Sequence, residues 1–338
     1  MVQRQSGRIV VQQSFPPPRP TTNPYIVMLR DALAGDSRIA LRTFSWRSAL
    51  LGRYDLFHAH WPEILVSGRG RLRTAVRQAL FALLLVRLTV TRTPVVRTVH
   101  NLELPSGISP VQRHLLLAFE RRTTARIALN ADTPADDGTV VVLHGHYRHW
   151  FERYPEPETI PGRVTYFGLI RRYKNVEALV HAFRSLPGRV SLEVAGSPSS
   201  AELERGIRAA AGDDGRVHLR FAYLTDAELV ETCGRGQLVV LPYLHMHNSG
   251  GVLAALSLDR PVLVPRNAAN DALAAEVGEV WVQRYEGELS SEALDAALAA
   301  TATISRGMRP DLDARSWPAG VDGHVRAYRL ALGRRYSR

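Results

Sequence analysis

Two residue types are almost missing from this chain. A single cysteine, Cys233, in 338 residues excludes any disulfide framework within the chain and fits a reducing compartment. It sits at the end of a predicted helix and is expected to be inert. Lysine is just as scarce: Lys174 is the only one, and the other 42 basic side chains are arginine. No apolar run reaches the ~18 residues that span a bilayer, and Met1 to Gln12 lacks the apolar core of a secretory signal. A cytoplasmic protein is expected. No short-period repeat or low-complexity tract is present, so solenoid and fibrous architectures are excluded.

What remains is an ordinary globular composition with an uneven charge. The formal net charge is +11. Residues 1–160 carry 21 arginines against 12 acidic residues, whereas residues 161–338 carry 22 basic against 20 acidic. The basic surface therefore belongs mostly to the N-terminal half, and suits anionic lipid, an anionic acceptor or simple solubility. Nucleic acid is not expected as a partner, because the basic residues are not interleaved with aromatics and no recognised module is present. The densest basic stretch is residues 69–90. Arg69, Arg73 and Arg77 share one helical face ahead of the apolar run Ala79–Val86. This is either a helix lying on an anionic membrane surface, peripherally at the inner face of the plasma membrane, or a buried domain helix with a solvated basic edge.

The length suggests two domains of about 150 residues each. Short apolar strands are predicted at 8–13, 39–44, 54–60, 94–101, 125–129 and 139–143, separated by helical patterns. Asn23 and Pro24 mark a helix start as cap and first-turn residue. Glu152–Pro161, with three prolines, breaks the periodicity and is the expected linker. A second set of strands follows at 164–167, 190–195, 217–221, 238–241 and 261–264, and Trp317–Leu332 reads as a last amphipathic helix. Strands alternating with helices argue for an α/β fold with parallel, doubly wound sheets. The expected domains are thus 1–151 and 162–316, joined by 152–161, with 317–338 as a terminal helix.

Lys174 belongs to the first of two candidate phosphate-binding turns. The predicted strand ending at Phe167 runs into Gly168, whose missing side chain lets backbone approach a ligand. Arg171 and Lys174 then stand at the expected start of a helix and can neutralise a diphosphate. The second turn is Leu241–Gly251: Asn248 or Ser249 can cap the helix that follows, and Gly250 and Gly251 leave its first amides uncovered. Together the two turns can converge on one diphosphate.

In the N-terminal half, polar groups collect at strand ends. His58 and His60 alternate onto one strand face but have no third ligand at matching spacing, so no metal is expected. One histidine is expected to pack structurally; either Trp61 stacks on a sugar face and Glu63 serves as general base, or Trp61-Pro62 caps the strand and Glu63 starts a helix. His100 and Asn101 end the next strand; His100 either contacts a reacting hydroxyl or phosphate oxygen or is structural. His146, in His144–Tyr147, suits a site floor or a hinge.

These features resemble the glycosyltransferases of the two-Rossmann GT-B type over nearly the whole chain. The Gly168–Lys174 segment, the Leu241–Pro242 strand end, the Ser249–Gly250 turn and the Arg260–Val262 strand follow the order of family 4-like donor domains. The resemblance implies two domains facing across a cleft, with the C-terminal helix crossing back to the first. It implies that Arg171 and Lys174 hold the donor diphosphate, that the Ser249–Gly250 amides take its distal phosphate, and that the loop at Tyr223 lines the base. The pattern departs at the paired glutamates flanking the glycine turn, since Met246 and Ala254 stand at about those positions and the ribose-gripping carboxylate is missing. Asn23-Pro-Tyr25, His58-Ala-His-Trp-Pro-Glu63, His100-Asn101 and His144-Gly-His-Tyr147 are more similar to the xanthan-type GDP-mannose:glycolipid β-1,4-mannosyltransferases. That resemblance implies an inverting, metal-independent transfer with no cofactor beyond the nucleotide-sugar co-substrate, with mannose favoured, to a saccharide or glycolipid. Asn23, Tyr25, Trp61, Asn101 and His146 are the implied acceptor residues; Glu63, then His100, are the candidate bases. A retaining enzyme using a UDP-sugar and a non-catalytic nucleotide-sugar-binding assembly partner are the alternatives.

Overall fold

A computed structural model describes residues 7–334 except 102, 106, 134, 135, 247, 248 and 306. The chain divides into two compact units: residues up to Gly145 together with those from Arg315 onward, and His146–Ala314. The sequence boundary at 151 lies later than this division. The reason is local: Tyr147 donates its amide to Ser257 Oγ at 2.8 Å, and Arg148 pairs with Asp259 at 3.1 Å, tying the short Arg148–Phe151 helix to the second unit. The proline-rich segment 152–161 is likewise not a free tether. Ile160 donates to the Arg235 carbonyl at 2.9 Å, and Pro157 lies against Gly234.

The first unit holds six parallel strands, β1 (Ile9–Gln13), β2 (Ile39–Arg42), β3 (Leu56–Ala59), β4 (Val95–Val99), β5 (Ala125–Ala128) and β6 (Thr139–Val141). Their spatial order is β2-β1-β3-β4-β5-β6. The inner strands β3 and β4 are buried along almost their whole length, as parallel strands covered on both faces must be. The helix Trp317–Arg334 closes this unit, packing on β3, β4, β5, β6 and the Pro24–Gly35 helix. Two glycines permit its close approach. A Cβ at Gly323 would stand 2.6 Å from Val142, and one at Gly145 would stand 2.8 Å from the Trp317 ring.

The second unit repeats the plan with β7 (Arg163–Phe167), β8 (Ser191–Ala195), β9 (Val217–Arg220), β10 (Leu238–Val240), β11 (Val262–Pro265) and β12 (Val282–Tyr285). All pair in parallel in the order β12-β11-β10-β7-β8-β9. The eleven strands expected from the sequence are present to within two residues at each end; β12 was not anticipated. In such sheets ligands bind beyond the carboxyl ends of the strands, where the winding direction reverses. Those points are β1/β3 in the first unit and β7/β10 in the second.

The Arg71–Val90 helix buries Phe81, Leu84 and Leu88. Arg77 does not join a free basic face with Arg69 and Arg73. Its guanidinium folds back onto the Ser67 carbonyl and onto that of Ile64 at 3.2 Å.

Candidate functional site

In the second unit, the turn after β7 brings Gly168 and Lys174 together, but not at a helix start. Gly168 has φ +106°, a conformation that favours glycine. Gly168 N–H extends the strand ladder to the Ala195 carbonyl at 3.0 Å, and the Gly168 carbonyl presses so closely on Gly196 that a Cβ there would stand 1.8 Å away. The helix does not start at Lys174. Arg172–Lys174 form a 3-10 turn, Asn175 is left-handed at φ 52°, and the α-helix runs from Val176 to Arg184 with no side-chain cap. The polar run Arg-Arg-Tyr-Lys-Asn has no apolar periodicity to extend the helix backwards.

The Lys174 ammonium consequently turns back toward Gly168, standing 3.9 Å from where a Cβ on that residue would be, and lies 4.8 Å from the centre of the Tyr243 ring. No carboxylate pairs with it among the described residues. Burial, and then the charge of Arg171, push its pKa down to about 8. A half-buried ammonium without a counter-ion is costly, and an anionic ligand relieves that cost. Arg171 is exposed beside it, while Arg172 is paired with Glu202 at 3.2 Å.

The second turn follows β10. Ser249 caps the Gly250–Ser257 helix, its Oγ accepting from Val252 N–H at 3.3 Å; Asn248 lies outside the described residues. The space over the two glycines is bounded by tyrosines: a Cβ on Gly250 would stand 3.2 Å from Tyr147 Oη, and one on Gly251 would stand 3.5 Å from Tyr243 Oη. Tyr243 therefore borders both turns. Sequence reasoning missed it although it lies inside the quoted Leu241–Gly251 stretch, because its partner Lys174 is remote in sequence. Tyr223 is 68% exposed. His146 belongs to this unit, and its Nδ1 accepts from Arg148 N–H at 3.3 Å.

In the first unit the strand-end groups gather around β3 and β4. His58 is structural: Nδ1 is 2.9 Å from Tyr328 Oη and Nε2 is 2.9 Å from Thr98 Oγ1, so neither ring nitrogen is left for a metal. His60 Nδ1 lies 3.3 Å from His100 Nε2. His100 stacks on Trp61 with centroids 3.9 Å apart and planes within 19°. One face of the indole is thus already covered, which leaves only the other for a sugar. Tyr25 is buried among His60, His100, His144 and Trp317 and underlies the site. Asn23 spends its side-chain oxygen capping the first helix, accepting from Tyr25 N–H at 2.9 Å.

His60, Trp61, Glu63, Arg97, His100 and Asn101 line one pocket. Burial raises the Glu63 carboxyl above the usual range, against a backbone hydrogen bond and the charge of Arg97. Arg97 itself is committed to Glu120, a pair invisible in the sequence because its members lie on different elements. Burial, reinforced by the neighbouring His60, His144 and Arg97, holds His100 well below the ordinary imidazole range. The pocket therefore offers one carboxylate of raised basicity beside a neutral imidazole.

Two parallel six-stranded Rossmann-type units, the second with a cation unpaired among the described residues at a glycine turn, define the GT-B architecture. No family model matches the chain. Solved structures share the fold: Anabaena HepE in complex with UDP aligns over 97% of both chains with TM-score 0.58 at 14% identity. AviGT4, a glycosyltransferase involved in avilamycin A biosynthesis, aligns over 97% of this chain and 98% of its own, also at TM-score 0.58 and 14% identity. Among curated proteins, the GDP-mannose:glycolipid 4-beta-D-mannosyltransferase of Xanthomonas campestris pv. campestris is 43% identical over 329 residues, 97% of this chain and 94% of that protein. The chain belongs to this mannosyltransferase family.

Proposed function

We propose that the enzyme transfers mannose from GDP-mannose to a hydroxyl of a lipid-linked saccharide, with inversion, peripherally at the inner face of the plasma membrane. The printed activity of the relatives supports the donor and the glycolipid acceptor. The observation that carries the chemistry is Lys174, a half-buried ammonium with no carboxylate partner among the described residues, aimed at a glycine turn. The donor diphosphate is its counter-ion, shared with Arg171 and the amides of Ser249, Gly250 and Gly251. The acceptor oxygen attacks the anomeric carbon, the bond from that carbon to the diphosphate oxygen breaks, and GDP leaves with the electron pair. Lys174, Arg171 and the helix amides stabilise the charge that develops on it. Glu63 takes the acceptor proton. His100 is the poorer base because its depressed pKa makes it a weak proton acceptor; it orients Trp61 instead. Trp61 and Asn101 contact the acceptor. Tyr223 contacts the base, without a ribose-binding carboxylate at Met246 or Ala254.

Two measurements test this reading. Thermal-shift titration is expected to show stabilisation by GDP at concentrations where UDP has little effect; equal or inverted preference overturns the GDP assignment. Glu63→Gln is expected to keep the GDP shift while losing about 10²- to 10⁴-fold in kcat. Full turnover in that variant removes Glu63 from the proton transfer.

A further inference from the structure

The Arg71–Val90 helix has two apolar faces, and only one of them is packed. Opposite the buried Phe81, Leu84 and Leu88, the side chains of Leu72, Val76, Leu83, Val86 and Val90 are exposed, from 52% to 79%. Ala79 is exposed between them. The spacings alternate between four and three, so these six residues form one stripe, ~27 Å long at 1.5 Å per residue. Leu51 and Ile64 are exposed on the two short helices that pack against this one. Contiguous exposed apolar surface of this kind marks an interaction site.

The charges around the stripe identify what covers it. Residues 64–102 contain seven arginines and no aspartate or glutamate. Arg69, Arg71, Arg73 and Arg92 are exposed at the two ends of the helix, and none has an ion pair among the described residues. The helix also breaks the ordinary rule for its own start: Gly70 provides no side-chain cap, and the first turn carries Arg71 and Arg73 with no acidic residue. Cations are unfavourable at a helix N-terminus, whereas anions that bridge cations and free amides are favourable there. A second copy of this surface brings arginine against arginine with no carboxylate to compensate. No helix among the described residues is long and apolar enough to cross a membrane, so the stripe lies in the interface plane rather than spanning it.

We propose that this exposed face seats on an anionic lipid surface, with the stripe entering the acyl boundary and the terminal arginines on headgroup phosphates. The inference rests on the reading that the acceptor is lipid-linked, and names the surface by which the enzyme reaches it.

The test uses the full chain and vesicles of phosphatidylcholine with and without phosphatidylglycerol. The wild type is expected to sediment with the anionic vesicles and to be released by salt. Leu83→Glu/Val86→Glu and Arg71→Glu/Arg73→Glu are each expected to weaken binding about tenfold or more. Their melting temperatures and GDP-induced shifts should remain those of the wild type, because every altered side chain is exposed and the donor turns lie in the other unit. Wild-type vesicle affinity in both variants overturns the proposal, as does failure of the wild type to bind. Light scattering that shows a wild-type dimer, monomeric in Leu83→Glu/Val86→Glu with vesicle binding kept, assigns the stripe to a second copy and also overturns it. Loss of GDP binding in the wild type would instead refute the donor assignment and leave the vesicle result to be judged separately.

Discussion

Lys174 shows, at the scale of single residues, what is legible in the sequence and what is not. Its rarity was visible in the composition, and the glycine turn before it implied a phosphate. The ring that confines it, Tyr243, was not legible, because a cation–π contact between residues 69 positions apart leaves no periodic trace. The low Lys174 pKa gives the site a pH signature. With the free-enzyme pKa near 8, the ammonium proposed to attract the diphosphate is lost as pH rises through that value. The KM for GDP-mannose should therefore climb above pH 8 while kcat at saturating donor changes less. In Lys174→Arg the limb should vanish, since a guanidinium stays charged, though affinity at neutral pH falls because its fork does not fit the ammonium position. An alkaline limb unchanged in Lys174→Arg would assign it to another group.

Elements were legible where they carry long patterns, and less so at their joints. The strands of both sheets appear as short apolar runs, whereas β12, with Gln283 and Arg284 in its middle and a place at the sheet edge, has no run to read. The Val176–Arg184 helix is legible from Val176 onward, whereas the 3-10 turn before it carries no hydrophobic period. The contact between the turns after β7 and β8 was also hidden, although it holds the turn proposed to bind the donor. Gly196→Ala puts a Cβ 1.8 Å from the Gly168 carbonyl, so the β7 turn must move. A loss of about 1–3 kcal/mol in urea melts with a clearly weaker GDP-induced shift is expected. Gly215→Ala, which meets nothing within 4 Å, serves as the control and should match the wild type in both measurements.

Across the whole molecule, titratable burial is unequal. His58, His60, His144 and His324 are buried in the first unit and His100 is half-buried there, and burial holds each below its ordinary pKa, to about 3 for His60 and about 4 for His144 and His324. Below pH ~6.5 the unfolded chain binds protons that the folded unit refuses, so stability is complete above that pH and falls as acid is added. Each histidine contributes a slope of up to about 1.4 kcal/mol per pH unit until its folded pKa is reached. Urea melts between pH 7 and pH ~5, above the range where most carboxylates titrate, should show the first unit weakening well before the second. A pH-independent first transition would show that these rings are not held neutral. The His-x-His spacing was legible; the convergence of β3, β4, the segment after β6 and the C-terminal helix on one cluster was not, since it joins residues from both ends of the chain. That closure by Trp317–Arg334, with Tyr328 bonded to His58, bears on the order in which the protein is made. The second unit is continuous in sequence and is completed first, although it begins after residue 145. At about 5–20 residues per second of synthesis, the nascent first unit waits on the order of ten seconds or more for its last helix, with Leu56–Ala59 and Ala125–Ala128 uncovered on that side. Translation, which ordinarily completes N-terminal domains first, here finishes them in reverse.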